Sequence, residues 1–327
     1  MAGTGPTLRV EGLRTHFFTN DGVVKAVDDV SFAVDRGHTL GLVGESGCGK
    51  TVTGFSILGL VDPPGRVTAG RILFNGEDLL TAGEERLRSL RGDRIAMIFQ
   101  DPMMTLNPVL RIETQMVETV LAHQDVDRAT ARRMARDAMG KVGIPSPDER
   151  LSAYPHQFSG GMRQRVAIAI AFINQPDLII ADEPTTALDV TIQGQILFEA
   201  QKLCREVGTA LIWITHDLAV VAGLADRICV MYAGRVVEEG SLDDVLDWPI
   251  HPYTRGLLNS VPSQKKNGER LEQIPGMTPS PLNLPPGCAF KTRCPRADHV
   301  CDAEPELREP VPGRRIRCFH PHARGSP

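Results

Sequence analysis

The run Gly44-Glu45-Ser46-Gly47-Cys48-Gly49-Lys50-Thr51 puts glycines, a lysine and a hydroxyl in the order G-x-x-x-x-G-K-S/T. Glycines let the backbone curl so that successive N–H groups point at one anion. A helix starting near Thr51 adds its positive end, and Lys50 adds a mobile cation. The Thr51 hydroxyl suits a magnesium ion bridging terminal phosphates. Leu40-Gly41-Leu42-Val43 supplies the apolar strand that should precede such a loop. The competing view is a glycine-rich turn with a surface lysine. Chance would produce this pattern in a chain of this length on the order of once in a hundred. The run predicts a nucleoside-triphosphate site.

Two further runs carry chemistry. Leu178-Ile179-Ile180-Ala181-Asp182-Glu183 is an apolar strand ending in two carboxylates. At the sheet end where phosphates lie, Asp182 would hold magnesium through its water shell and Glu183 would polarise the attacking water. Acids that merely cap the next helix are the alternative. Phe158-Ser159-Gly160-Gly161-Met162-Arg163-Gln164-Arg165 places a serine and two glycines where a helix begins, which alone could be an ordinary cap.

The elements that must position these residues follow from periodicity. Residues 8 to 34 read as short alternating strands, including Leu8-Arg9-Val10 and Val30-Ser31-Phe32-Ala33-Val34. Arg71-Ile72-Leu73-Phe74 and Ile95-Ala96-Met97-Ile98-Phe99 follow the first helix as strands. Residues 111 to 143 repeat at helical spacing (Ile112, Met116, Val120; Ala131, Met134, Ala135, Ala138, Val142) and form a helical insertion. The pattern then alternates: a helix over 161 to 173, the strand 178 to 181, a helix around 192 to 207 and the strand 210 to 214. A hairpin closes at Ala233-Gly234. Alternation of this kind predicts an α/β fold with a largely parallel core sheet. A hydrophobic content of 42% and a net charge of -4 are ordinary for a soluble protein and give no bulk attraction for nucleic acid. The N-terminus lacks the order of a signal peptide and no apolar run spans a bilayer, so a cytosolic chain is expected.

Once these runs are placed in order, the chain resembles the nucleotide-binding subunit of an ATP-binding-cassette (ABC) transporter, over residues 8 to 262. The resemblance makes Phe158 to Met162 the signature motif, whose Ser159, Gly160 and Gly161 face the ATP of a second subunit. Gln100, in Phe99-Gln100-Asp101-Pro102, matches the glutamine loop that contacts magnesium and the membrane partner. Asp189 matches the D-loop, and His216 the histidine that senses the γ-phosphate. Phe17 and Phe18 are candidates to stack on adenine, where the family usually has tyrosine. The implied architecture is a parallel core sheet, an N-terminal antiparallel β subdomain and a helical signature subdomain at about 101–173. ATP and magnesium (through Thr51, Gln100 and Asp182) are the implied ligands. Lys50, Glu183 and His216 are the implied catalytic residues. Cys48 replaces the serine often found in the family's loop. A small residue that fits is the simpler view, but a thiol beside a cationic loop could also be acidified. On that view alkylation inactivates the chain and ATP protects it.

Residues 263–327 change character. Twelve of the 24 prolines fall at Pro262 or later, after which the polar stretch Ser263 to Gly268 marks a linker. His251-Pro252-Tyr253-Thr254 and Tyr154-Pro155-His156-Gln157 resemble segments of oligopeptide and dipeptide importer ATPases, and so does the C-terminal extension. That extension carries Cys288, Cys294, Cys301 and Cys318, and reads as a small irregular cysteine-rich module. Disulfides are unfavourable in a reducing compartment, and four thiolates on proline-rich loops suit a metal. The two tight C-x2-4-C knuckles of zinc ribbons are absent. The importer resemblance implies a 4Fe–4S cluster on these cysteines, with zinc or free thiols as alternatives. A structural staple and a redox control are both open roles.

The implied function is ATP hydrolysis driving import of di- or oligopeptides from the cytoplasmic face of the inner membrane. The implied partners are a second ABC ATPase subunit, expected to be a paralogue forming a heterodimer, and two integral membrane permeases. A peptide-binding protein acts indirectly, and no nucleic acid is involved. Met103, Met104, Leu106 and Pro108 would receive the permeases, or else belong to the core. The alternatives are import of nickel or a glutathione-like solute, a soluble ABC ATPase of DNA repair or translation, and a redox sensor with an ATPase output.

Overall fold

The central parallel strands of the core are buried along their whole length, which is why their sequences are mostly apolar. The structure is a computed structural model and describes residues 5–185, 190–260 and 273–323. Two long strands, β1 (Leu8–Thr19) and β2 (Gly22–Val34), come first and pair antiparallel. They lead into β3 (Thr39–Val43) and then α1 (Lys50–Leu58). After β4 (Gly65–Phe74), β5 (Glu77–Asp78) and α2 (Glu84–Leu90), the chain enters the core again as β6 (Ile95–Ile98). The helical insertion comprises α3 (Ile112–Leu121), α4 (Arg128–Lys141), α5 (Pro147–Leu151) and α6 (Gly160–Phe172). Core strands and helices then alternate: β7 (Leu178–Asp182), α7 (Val190–Val207), β8 (Ala210–Thr215), α8 (Leu218–Ala222) and β9 (Arg227–Tyr232). The final run is β10 (Arg235–Ser241), α9 (Leu242–Asp247), α10 (Pro252–Asn259), β11 (Arg308–Val311) and β12 (Arg314–Ile316).

Two sheets result. The smaller, in order β2-β1-β4-β5, is antiparallel. The larger runs β11-β12-β10-β9-β3-β8-β7-β6, and β9, β3, β8, β7 and β6 are mutually parallel. Every residue of β7 and β8 is buried. Their side chains alternate between two cores. Ile179, Ala181, Leu211 and Trp213 pack with the helical insertion, whereas Leu178, Ile180, Ile212 and Ile214 pack under the antiparallel sheet. The sequence reading of short strands over 8 to 34 gives way to two continuous strands of 12 and 13 residues. Register shifts in β1 between Val10 and His16 break the simple alternation that would have revealed their length.

The C-terminal segment has more regular structure than its composition suggests. The β11–β12 hairpin joins the core sheet through antiparallel pairing of β12 with β10. Glu238 of β10 is fully buried. Its carboxylate accepts from Ile250 N (3.0 Å), His251 N (2.9 Å) and the Arg314 guanidinium of β12. Those bonds satisfy a charge that would be costly to bury alone. They also fix the entry to α10, where His251 Nδ1 accepts from Tyr253 N at 3.0 Å.

Burial pushes His251 down to about 3, so the folded protein holds a neutral imidazole. The unfolded chain, with an ordinary histidine, takes up a proton below about pH 6.5. Stability is therefore complete above that value and falls on acidification, by at most about 1.4 kcal/mol per pH unit from this one group. Thermal unfolding from pH 7.5 to 5 should show a steeper loss of Tm for the native chain than for His251→Asn, which keeps an acceptor for Tyr253 N but has no proton to gain.

Candidate functional site

Three parallel neighbours, β3, β8 and β7, bring their C-terminal ends to one edge, and each end delivers a different chemical group. The loop after β3 curls over residues 44 to 49 and feeds directly into α1, with Gly49 as its N-cap. Gly49 has φ of 101°, and a Cβ there would meet the Ala26 carbonyl oxygen at 2.1 Å. Only glycine lets the loop pass this close to β2. Ser46 and Gly47 form its exposed crest, while Cys48, Gly49 and Lys50 are buried. Lys50 Nζ donates to Gly44 O (2.7 Å) and Glu45 O (3.1 Å), so the ammonium already lies inside the curve of the loop. Terminal phosphates would compete for it with those carbonyls.

Thr51, in the first turn of α1, donates its hydroxyl to Asp182 Oδ1 at 3.1 Å. Asp182 closes β7 and is 5% exposed. Burial raises its carboxyl above the usual range, partly offset by the Thr51 bond. Glu183 follows with φ of 44°, a left-handed backbone that turns its side chain away from the strand direction. Its amide donates to Ile214 O of β8 at 2.9 Å. Its Oε2 lies 3.1 Å from Nδ1 of His216, one residue past the end of β8. The sequence-predicted Lys50, Thr51, Asp182, Glu183 and His216 are thus assembled at one place. A hydroxyl and a carboxylate sit where a hard cation would be held. A carboxylate–imidazole pair sits where a water and a γ-phosphate would meet.

Other predicted residues are placed differently. Gln100 is exposed just beyond β6 and makes no hydrogen bond to Thr51 or Asp182. Ser159 caps α6, its Oγ accepting from Met162 N at 3.3 Å, and Gly160 is exposed with nothing near its Cα face. The start of α6 is therefore open to solvent at Ser159 and Gly160. Phe17 packs so tightly on Gly65 of β4 that a Cβ there would meet its ring at 2.5 Å, and Phe18 lies beneath the Arg66 guanidinium (4.4 Å). Asp189 lies outside the described residues. Leu106 belongs to the core at 1% exposure, whereas Met103, Met104, Val109 and Leu110 are exposed beside it, with Pro108 between them.

At Cys48 the simpler view, a small residue that fits, agrees with the structure, and the alternative of an acidified thiol is corrected. Cys48 is 1% exposed, and burial pushes its pKa up in spite of Lys50 nearby. Depth within the loop decides its chemistry, and depth is not written in the motif. The sequence reading also missed what holds the loop from behind. Glu45 N donates to the Tyr253 hydroxyl (2.9 Å). The Glu45 carboxylate accepts from Arg293 (2.6 and 2.9 Å) and Thr278 (2.7 Å). His251-Pro252-Tyr253-Thr254 resembles importer ATPases in sequence, but nothing in the run points to Tyr253 holding the phosphate loop.

This fold and this constellation define a phosphate-loop ATPase that carries a helical signature subdomain. The ABC transporter family model matches residues 27–186, and that of the oligopeptide/dipeptide transporter C-terminal region matches residues 237–301. The chain is 49% identical to the oligopeptide transport ATP-binding protein OppD of Escherichia coli, over 96% of this chain and 93% of the relative. It is 50% identical to the dipeptide transport ATP-binding protein DppD of Bacillus subtilis, over 95% and 91% respectively. Among solved structures, an ATP-binding cassette captured as a dimer after hydrolysis with ADP and Pi matches at TM-score 0.65 and 25% identity. That match covers 72% of this chain and 98% of the other. The chain belongs to the ABC transporter family, alongside the oligopeptide and dipeptide transport ATP-binding proteins. It is an ATPase.

Two outcomes follow from the site. Glu183→Gln should cut phosphate release by about two to four orders of magnitude, the range for loss of a general base, while ATP still binds. Brief native alkylation followed by peptide mapping should leave Cys48 unmodified with or without ATP and label it only in denaturant.

Proposed function

We propose that this chain hydrolyses ATP to drive import of di- or oligopeptides through a membrane transporter, acting from the cytoplasmic face of the membrane. The observation that carries the reading is the linked run Thr51–Asp182–Glu183–His216 beside the phosphate loop, contributed by α1 and by the ends of β7 and β8. Lys50 and the loop amides bind the β- and γ-phosphates. Glu183 orients and deprotonates the attacking water, and His216 holds Glu183 on one side and the γ-phosphate on the other. Thr51 and Asp182 offer the oxygens that would hold magnesium, with Gln100 reaching in from its exposed position. That ion supplies charge neutralisation of the phosphates. The peptide specificity rests on the relatives' names and on the matching C-terminal region.

The exposed start of α6 at Ser159, Gly160 and Gly161 is a second anion site. A head-to-tail pair with another cassette would use it to grip the partner's triphosphate. A paralogue is the favoured partner. Among the described residues no helix is long and apolar enough to cross a membrane, so permease subunits would form the pathway. Met103, Met104, Val109 and Leu110 give them an exposed apolar landing beside Gln100. In the assembled transporter, Met104→Asp with Val109→Asp should lower permease-stimulated ATPase activity and peptide uptake about tenfold or more. The basal ATPase of the free chain should stay unchanged. Peptide uptake that persists in Glu183→Gln would overturn the whole reading.

The four cysteines favour a 4Fe–4S cluster as resident cofactor. Burial raises the Cys288, Cys294 and Cys318 thiols, Cys318 to about 12, and charge on the neighbouring thiols raises each further. Cys294 Sγ accepts from Arg296 N (3.4 Å) and Cys318 Sγ from His320 N (3.3 Å), the backbone bonds that suit cluster thiolates. Among the described residues, the donors within 4.8 Å of one another are Asp298, Cys301 and His320 rather than the four sulfurs. The preference for a cluster over zinc rests on the resemblance to peptide-importer ATPases and on the lack of two tight C-x2-4-C knuckles. Held by Cys288, Cys294, Cys301 and Cys318, such a group would tie together the loops that carry them. Elemental and sulfide analysis of anaerobically purified protein should give iron and sulfide near four each per chain. Stoichiometric zinc without iron would overturn this assignment.

A further inference from the structure

The deepest attachment of the C-terminal segment is to the phosphate loop itself. Arg293 is 6% exposed and immediately precedes Cys294. Its guanidinium grips both oxygens of Glu45, at 2.6 and 2.9 Å, across 248 positions of sequence. Arg293 Nε donates to Pro275 O (3.0 Å), and Nη1 also reaches Thr278 Oγ1 (3.3 Å) and the Tyr232 hydroxyl (3.4 Å). Tyr232, Tyr253 and Phe290, all buried, enclose this cluster edge to face. Thr278 donates to Glu45 as well. The guanidinium is therefore held by its own surroundings and presented as a rigid fork.

Glu45 is an awkward residue for a loop that receives a polyanion. It is the second residue of that loop, close enough to Lys50 for their charges to interact. Left alone, its carboxylate would repel the phosphates and compete for the field of Lys50. In this fold it is turned away from the crest, neutralised by Arg293 and pinned by Thr278. Its backbone N–H is also spent on Tyr253. We propose that Arg293 is a positioning residue through which the C-terminal segment sets nucleotide affinity, by neutralising Glu45 and holding it away from the bound triphosphate. The inference rests on the loop being the ATP site. It does not require any metal on the cysteines.

A pair that only staples the fold and a pair that shields charge behave differently on mutation. Binding of a fluorescent ATP analogue to the purified full-length chain, with Tm recorded in parallel without nucleotide, separates them. Tight binding by the native chain establishes the site in the same assay. Arg293→Met should weaken binding about tenfold, the scale for one uncompensated charge near the phosphates at intermediate dielectric. Glu45→Gln should bind within about threefold of the native chain, and Glu45→Gln/Arg293→Met should recover to the same range, because the offending charge is gone. The loss in Arg293→Met should also grow at low salt. Unchanged affinity in Arg293→Met, or a double variant as weak as Arg293→Met, would overturn the proposal whatever happens to Tm. Arg293→Gln, which loses the charge but keeps amide donors for Glu45, covers the case in which the methionine variant does not fold. A loss of about threefold that Glu45→Gln restores supports shielding, and no loss overturns it.

Discussion

Parallel pairing of β3 with β8 and of β8 with β7 is the constraint on which the rest depends. In parallel strands the C-terminal ends emerge on the same side, so the phosphate loop, His216 and the Asp182–Glu183 pair must meet. A one-residue slip of β7 against β8 would turn Asp182 from the site toward a core and break its bond with Thr51. The slip is prevented from both faces. Ile179 and Ala181 are committed to the helical core and Leu178 and Ile180 to the other, so shifting the strand would misplace every side chain at once. The apolar packing of these strands and the polar chemistry at their ends are one problem with one solution.

Much of this was legible because it is written locally. A phosphate loop needs contiguous glycines and a lysine, and an acidic strand end needs two adjacent carboxylates. Both appear as unbroken runs at Gly44 to Thr51 and at Leu178 to Glu183. The parallel core could likewise be read from apolar runs separated by helical periods. Burial and long-range pairing were not legible in this way. From its neighbours in sequence Cys48 could be a small residue that fits or an acidified thiol, and only its depth within the loop decides for the first. The β11–β12 hairpin escaped notice because Arg308 to Val311 is exposed at every residue and shows no apolar alternation. Glu45 meets Arg293 from nearly the far end of the chain, and no spacing rule connects a loop residue to an arginine beside a cysteine.

The C-terminal segment is therefore two things at once. Its hairpin is continuous with the core sheet, and the buried ion pair of Glu238 with Arg314 welds the junction. Its cysteine-bearing loops lack an apolar centre of their own, yet they support the aromatic cluster under the phosphate loop. A charged side chain placed on such a support costs little flexibility, because Arg293 loses its rotamer freedom on folding rather than on nucleotide binding.

The outer strand of the large sheet, β11, is Arg308-Glu309-Pro310-Val311, and all four residues face solvent. Pro310 cannot donate to a neighbouring ladder, and the flanking charges would be stranded if another strand docked against them. That rim is closed to strand-by-strand growth. Copies crowded side by side can aggregate through it only at the cost of unpaired backbone and buried charge.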